Sequence, residues 1–327
     1  MMHRPADDPA AGAVSRETPA TEDVPSAEQE RSVLDSLDAS PLAAELADES
    51  KRRRKLSETT LEPPEQTRVI TVSNQKGGVG KTTTTVNLAA ALADHGFHVL
   101  VIDIDPQGNA STGLGIPHSA ETESIYDVLI DDLTFADVIA ECPDVDNLSV
   151  IPATIHLAGA EIELVSLVAR EQRLQRALQE YVTQREQQGL PRLDYVFIDC
   201  PPSLGLLTVN AFVAADEVLI PIQCEYYALE GLSQLLNNIR MIQKHLNPPL
   251  RVSTILLTMY DARTNLAAQV VDEVKEHFPE EVLDTKIPRS VRIAEAPSYQ
   301  QSVISYDRSS TGALAYLEAA AELVQRG

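Results

Sequence analysis

Short runs of Val, Ile and Leu alternate with longer segments of helical spacing from residue 67 to the end of the chain. The apolar runs contain few polar positions, as expected of strands that are buried on both faces of a sheet. They predict strands at 68–73, 98–103, 148–151, 195–199, 217–222 and 251–258, with a short strand near 286–287. The periodic segments predict helices at 81–95, 157–187, 204–214, 229–246, 265–278 and 313–325. This alternation predicts an α/β fold with a doubly wound, mostly parallel sheet flanked by helices.

The first 66 residues differ from the rest, because they are rich in Ala, Pro, Ser, Glu and Asp and poor in large apolar residues. Such a segment cannot bury enough surface to offset its ordering entropy. We therefore expect residues 1–66 to form a mostly disordered extension and residues 67–327 to form one domain. Within the extension, residues 32–49 could form a weak amphipathic helix broken near Pro41, which is either a partner-binding element or a nascent helix without a role. The basic run 51–55 either touches nucleic acid or an acidic surface, or is a solvated linker.

The chain carries 49 acidic and 26 basic residues, a formal net charge of −23. This balance argues against a generic nucleic-acid binder, since phosphate contacts need local positive charge. Any DNA binding must therefore come from a small patch, for example one that dimerisation builds. The 3 cysteines show no metal-binding spacing, and neither a secretory segment nor a long apolar run is evident. We expect a soluble protein of a reducing, cytoplasmic compartment.

A glycine-rich segment at 76–83, with the sequence KGGVGKTT, lies between the first predicted strand and the first predicted helix. Such a turn directs backbone N–H groups and a helix N-terminus at one point, which is a geometry that holds phosphates. Lys81 would contact the β- and γ-phosphates, and the Thr82 hydroxyl would ligate Mg²⁺. The loop therefore predicts a site for the phosphates of a nucleotide together with Mg²⁺.

Carboxylates follow two further predicted strands. Asp105 lies in a loop bent by Pro106 and Gly108, where it either orients a water for attack on the γ-phosphate or forms an Asx turn. Asp103 either braces this loop or belongs to the metal shell. Asp199 ends the apolar strand 195–199, a Walker B arrangement in which it would hold Mg²⁺ through water.

The glycine-rich segment resembles the deviant Walker A motif of the ParA/MinD class, because Gln75 replaces the usual first glycine and Lys76 adds a second lysine. The sequence DIDPQGN at 103–109 and the segments 258–265 and 287–298 are similar to the ParA/Soj family. The resemblance implies that Lys76 reaches the partner's nucleotide and that Asp105 acts in hydrolysis. It also implies that Pro288 and Arg289 lie near the base. The expected catalytic residues are Lys76, Lys81 and Asp105, and the expected nucleotide-binding residues are Lys76, Gly77, Gly78, Val79, Gly80, Lys81, Thr82, Thr83, Pro288 and Arg289.

The resemblance further implies a DNA-segregation ATPase. Mg-ATP would drive formation of a sandwich homodimer that binds double-stranded DNA non-specifically through Arg263 and Arg292. A ParB-type centromere-binding partner would stimulate hydrolysis and release the DNA, so we expect nucleoid association. The extension does not resemble a helix-turn-helix, which disfavours the members of the family that bind a specific operator.

Two other classes share the loop. A MinD-like membrane-associated positioning ATPase would need a basic amphipathic C-terminal helix, whereas the predicted helix 313–325 is rich in Ala and carries two glutamates. A reductase similar to the nitrogenase iron protein would need paired cysteines for an iron–sulfur cluster, and Cys142 and Cys200 do not resemble that pattern.

Overall fold

The computed structural model describes residues 41–226 and 231–327. The strands are β1 (Arg68–Val72), β2 (Val99–Asp103), β3 (Ala140–Glu141), β4 (Leu148–Ile151), β5 (Tyr195–Asp199), β6 (Glu217–Gln223), β7 (Arg251–Tyr260) and β8 (Val282–Pro288). The helices are α1 (Pro41–Glu58), α2 (Lys81–Asp94), α3 (Asn109–Gly113), α4 (Ile125–Ile130), α5 (Phe135–Val138), α6 (Leu157–Leu164), α7 (Arg173–Gln187), α8 (Leu206–Ala214), α9 (Leu232–His245), α10 (Asn265–His277), α11 (Val291–Glu295), α12 (Val303–Tyr306) and α13 (Thr311–Gln325). A 3₁₀ turn spans Ala296–Tyr299.

All 8 strands form one sheet in the order β3-β4-β2-β5-β1-β6-β7-β8. Neighbouring strands run parallel, except that β3 pairs antiparallel with β4 at the edge. The predicted doubly wound, mostly parallel sheet is therefore confirmed. The sequence pattern did not predict β3, because two residues are too few to show a period. The strand expected near 286–287 extends over Val282–Pro288.

Apolar side chains project from both faces of the central strands and form two hydrophobic cores. Leu100 and Ile102 of β2 join the cluster that packs against α4 to α10, whereas Val99 and Val101 join the cluster that packs against α2, α3, α12 and α13. The sheet is thus the middle layer of three, which explains the near absence of polar alternation in its strands. The carboxyl ends of β1, β2 and β5 lie side by side, and the predicted motifs follow these ends.

The single helix predicted at 157–187 is wrong, because the structure has two helices, α6 and α7. Ala169 lies between them with φ +51°, a left-handed backbone conformation that a continuous helix excludes. The helix predicted at 229–246 begins at Leu232 in the described part, and residues 227–230 lie outside it.

The predicted disorder of residues 1–66 fails for residues 41–58, which form α1. Pro41 occupies the first position of the helix, where its missing N–H is tolerated, and the segment is rich in Ala, Leu, Glu, Lys and Arg. The residues from Arg53 onwards belong to one compact unit with the ATPase fold, and Leu56 and Leu61 pack against its core. The weak helix considered at 32–49 overlaps α1 over residues 41–49, and composition missed its continuation through the basic run to Glu58. The remainder of the predicted extension, residues 1–40, lies outside the described residues.

Candidate nucleotide-binding site

The loop between β1 and α2 is shaped by two glycines and fixed by two neighbouring strands. Gly78 and Gly80 have φ +74° and φ +89°, a left-handed conformation that favours glycine. The Thr258 hydroxyl on β7 donates to the carbonyl of Val79 at 2.8 Å, and the Asn74 amide donates to the carbonyl of Pro221 on β6 at 2.8 Å. The loop therefore presents its backbone and the first turn of α2 in a defined shape.

Lys81 begins α2 and is buried in this loop. Its ammonium lies 3.5 Å from the carbonyl oxygen of Lys76. Burial lowers the pKa of Lys81, and the carboxylates of Asp199 and Asp105 oppose that shift. A partly desolvated ammonium in a glycine-rich loop is suited to a phosphate, because the negative charge of a phosphate would compensate for the lost solvation.

The Thr82 hydroxyl donates to Oδ2 of Asp199 at 2.7 Å, and the Thr85 hydroxyl donates to Oδ1 of the same carboxylate at 3.0 Å. Burial raises the pKa of Asp199 to about 8, and the charge of Asp103 on the adjacent strand adds to the rise. A hydroxyl and a carboxylate are the hard oxygen ligands that Mg²⁺ prefers. The residues predicted to hold the metal are thus together and have suitable donor chemistry.

Asp103 serves as the brace of the next loop. Its Oδ1 accepts from the Asp105 amide at 3.1 Å, and its Oδ2 accepts from the amide and the hydroxyl of Ser111, both at 2.8 Å. Burial raises the pKa of Asp103 to about 6, and the bonds from Ser111 counteract the rise. Of the two roles that the sequence left open, this geometry favours the brace, because both oxygens already have donors.

Asp105 lines a cavity of about 500 Å³ together with Lys81, Thr82 and the glycines of the loop. Its Oδ1 also accepts from the Gln107 amide at 3.0 Å, so the predicted Asx turn and the position at the pocket coexist. The cavity is also lined by Met259 and Gln301, which lie far along the chain. Met259 belongs to the 258–265 segment, whereas the sequence did not indicate Gln301. Gln107 and Asn109 line it too, and their only signal was their place in the 103–109 motif.

Lys76 lies at the mouth of the loop, where its ammonium pairs with Oε2 of Glu225 at 3.5 Å. Arg289, which follows β8, approaches Oε1 of Glu225 at 3.7 Å, and the Gln223 side chain donates to the same oxygen at 2.5 Å. One carboxylate therefore joins two residues that the sequence assigned to nucleotide binding. The sequence did not single out Glu225 as the residue that joins them. Neither Pro288 nor Arg289 lines the 500 Å³ cavity.

The two arginines expected to contact DNA are exposed and already paired with carboxylates. Arg263 donates from Nε and Nη2 to Asp261 at 2.8 and 2.7 Å, and this pairing lowers the pKa of Asp261 to about 2. Arg292 pairs with Glu295 at 3.2 Å and with Asp307 at 3.3 Å. A bound phosphate would have to replace these partners.

Within the described ranges 41–226 and 231–327, no helix is both long enough and apolar enough to cross a bilayer. Ten residues of the C-terminal helix α13 are buried, among them Leu314, Leu317 and Leu323. Its apolar face is therefore used inside the protein.

Comparison with known proteins identifies the class. Residues 67–252 match the AAA_31 family, described as an AAA domain. Soj of Bacillus subtilis, a sporulation initiation inhibitor protein, is 57% identical over 260 residues, which cover 80% of this chain and 99% of Soj. The chromosome partitioning protein ParA of Myxococcus xanthus is 49% identical over 259 residues, 79% of this chain and 88% of that protein.

Among solved structures, cobyrinic acid a,c-diamide synthase from Mycobacterium smegmatis with bound ADP and magnesium is similar, with a TM-score of 0.66 and 38% identity over 78% of this chain and 93% of that one. Its ligands agree with the cofactors expected from the glycine-rich loop. Because the identity to Soj extends along nearly all of that protein and the matched family region includes the paired-lysine loop, the chain belongs to the ParA/Soj family of P-loop ATPases.

Proposed function

We propose that this chain is a DNA-segregation ATPase in which Mg-ATP drives a homodimer that binds double-stranded DNA non-specifically. The observation that carries the proposal is the difference in solvent exposure between the two lysines of the glycine-rich loop. The Lys81 residue is 7% exposed, whereas the Lys76 side chain is 37% exposed and stands at the mouth of the pocket. One lysine is therefore placed for its own nucleotide and the other is accessible to a second protomer.

ATP is held by the loop backbone from Gly77 to Thr83, including Val79 and the positive-φ glycines, and by the ammonium of Lys81. Thr82 and Asp199 hold Mg²⁺, with Asp199 acting through water. Mg²⁺ bound there would neutralise part of the phosphate charge. Thr83 lines the same cavity. Pro288 and Arg289 flank the base.

Asp105 orients the attacking water. Its position supports this role, because Asp105 as a residue is only 8% exposed and lines the cavity together with Lys81. The Asp103 brace and the Gln107 amide hold the loop around Asp105, so the carboxylate has little freedom to move. A positioned water and a shielded pocket are what in-line attack on a γ-phosphate requires.

Dimer formation unites the arginine pairs of two protomers into one DNA-binding surface. Each protomer alone offers Arg263 and Arg292, whose charges are offset by local carboxylates. Affinity rises steeply with the number of phosphate contacts, because each contact adds to counterion release. A chain with a net charge of −23 thereby binds DNA in one nucleotide state only. A basic segment of a ParB-type partner then stimulates hydrolysis and releases the DNA from the nucleoid-associated dimer.

The membrane-associated alternative finds no support in the described residues. A MinD-like anchor needs an amphipathic helix whose apolar face is available to lipid. The apolar residues of α13 are packed against α2 and β8 instead.

The test is a DNA-binding measurement on the full chain with ATP, with ADP and without nucleotide, at about 50 and about 200 mM salt. We expect retention with ATP alone and a strong loss of affinity at the higher salt concentration. Equal binding in the three nucleotide conditions, or none in any of them, would overturn the proposal.

A further inference from the structure

The basic end of α1 is docked on the ATPase fold by one of its own arginines. The guanidinium of Arg53 donates to the carbonyl oxygens of Arg308 at 3.1 Å, Ser309 at 2.5 Å and Ser310 at 3.3 Å. Leu56, three residues further on, packs against the core cluster. The end of this helix therefore has a fixed position, which a solvated linker would not have.

This position adjoins the surface proposed to bind DNA. The three acceptor carbonyls follow directly after Asp307, and the Asp307 carboxylate pairs with Arg292 at 3.3 Å. Arg308 itself is paired with Asp94 at the end of α2. The docked helix end, Arg292 and Arg308 are thus connected through one short loop.

Arg54 and Lys55 are the exposed basic residues of this helix end within the compact unit. Arg54 pairs with Glu58 one turn away at 2.8 Å, and the two side chains are 79% and 64% exposed. Such exposed pairs are weak, so a phosphate can replace the carboxylate. Arg54 and Lys55 can therefore contact a polyanion without rearrangement of the core.

We propose that Arg54 and Lys55 bind the phosphate backbone of double-stranded DNA and extend the Arg292 surface onto the helix that precedes the ATPase fold. The inference rests on the proposed function, because it takes DNA binding by Arg292 as given. The matched family region begins at residue 67, so this surface is an addition made by the preceding helix. A lipid surface is the weaker choice of partner, because lipid binding needs an apolar face beside the basic one and Leu56 faces the core.

The experiment compares four full-length proteins bound to ATP: the wild type, R54Q/K55Q, the charge-preserving R54K/K55R, and R240Q/K244Q. The last removes the same charge from exposed positions of α9, which packs on the other face of the sheet. DNA affinity is measured between about 50 and about 200 mM salt. Over this range, each phosphate contact accounts for about a 3.5-fold fall in affinity.

For R54Q/K55Q we expect weaker DNA binding at low salt. The factor by which its affinity falls between about 50 and about 200 mM salt should be smaller than that of the wild type by about tenfold per protomer. R54K/K55R and R240Q/K244Q should match the wild type. If R54Q/K55Q binds DNA with the affinity and salt dependence of the wild type, the surface is overturned while the proposed function stands. A wild type that binds no DNA in any nucleotide state overturns the proposed function instead, and this surface with it.

Vesicles that contain anionic phospholipid form a further arm of the experiment. Binding of the wild type but not of R54Q/K55Q to these vesicles, together with unchanged DNA affinity of the variant, would assign the helix end to lipid and overturn the inference. Absence of vesicle binding by the wild type, together with weaker DNA binding by the variant, supports it.

Discussion

Lys76 and Glu225 form an ion pair across the mouth of the phosphate loop, with 3.5 Å between Nζ and Oε2. The two side chains are 37% and 46% exposed, so the pair contributes on the order of 0–1 kcal/mol. A lysine that serves the nucleotide of a neighbouring protomer must first leave this carboxylate. The pair therefore opposes the proposed dimer, but only weakly.

Replacement of Lys76 by alanine should abolish ATP-dependent dimerisation and leave nucleotide binding to the single protomer largely intact. The reason is that Lys81, not Lys76, is buried within the protomer's own loop. Sedimentation velocity with ATP measures the dimer, and fluorescence of a labelled nucleotide measures binding. An unchanged dimer in Lys76→Ala would refute the role of this lysine across the interface.

Replacement of Glu225 by glutamine should have the opposite effect, because it removes the carboxylate that competes for Lys76. We expect the ATP concentration for half-maximal dimerisation to fall by up to about fivefold, the equivalent of 1 kcal/mol. Glu180→Gln on α7 is the matched control, since it removes the same charge from an exposed position of another helix. A midpoint for Glu225→Gln equal to that of this control would show that the pair does not restrain Lys76.

The sequence predicted those parts of the site whose positions follow from the order of strands and helices along the chain. The glycine-rich loop, Lys81 and Asp199 follow buried strands directly, so their meeting at one edge of a parallel sheet follows from the alternation itself. Glu225 could not be predicted as the partner of Lys76, because 149 residues separate them and no motif marks the contact. The second half of helix α1 was missed for a different reason. Its composition resembles a disordered segment, whereas its helix propensity and the docking of Arg53 decide its structure.

Replacement of Asp105 by alanine should trap an ATP-bound dimer on DNA, because binding is retained while the attacking water loses its acceptor. Turnover should fall by about a hundredfold or more, the range typical of a lost general base. Asp105→Asn separates the two roles of this residue, since its amide oxygen still accepts from the Gln107 amide. The asparagine variant should keep the loop and still be inactive. Wild-type phosphate release by either variant would exclude the catalytic role.

Charge reversal at Arg263 or Arg292 should remove DNA retention without loss of ATP turnover. Asp261→Asn provides the complementary change, because this carboxylate holds both Nε and Nη2 of Arg263. Without that competitor the guanidinium is available to phosphate, so we expect tighter binding and a salt slope larger by about one per protomer. Gel retardation with ATP measures both effects. Retention like that of the wild type in both charge-reversal variants would exclude the arginine surface.

The buried pair between Arg68 and Glu217 predicts how stability depends on pH. Nε and Nη2 of Arg68 donate to the two oxygens of Glu217 at 2.9 and 2.8 Å. Burial alone would raise the pKa of Glu217, but the bonds and charge of Arg68 outweigh it and lower the pKa. The stabilisation is therefore complete above the unfolded-state pKa of about 4.3 and is lost as the pH falls through the folded-state value.

Glu217→Gln should consequently reduce the free energy of unfolding by about 3 kcal/mol at neutral pH, because a charged arginine remains buried without its counter-ion. The difference between the wild type and the variant should stay constant from pH 7 down to about pH 5 and shrink below about pH 4. Urea unfolding at a series of pH values measures this difference directly. A difference that persists unchanged into acid would mean that the lost stability comes from packing around residue 217 and not from its charge.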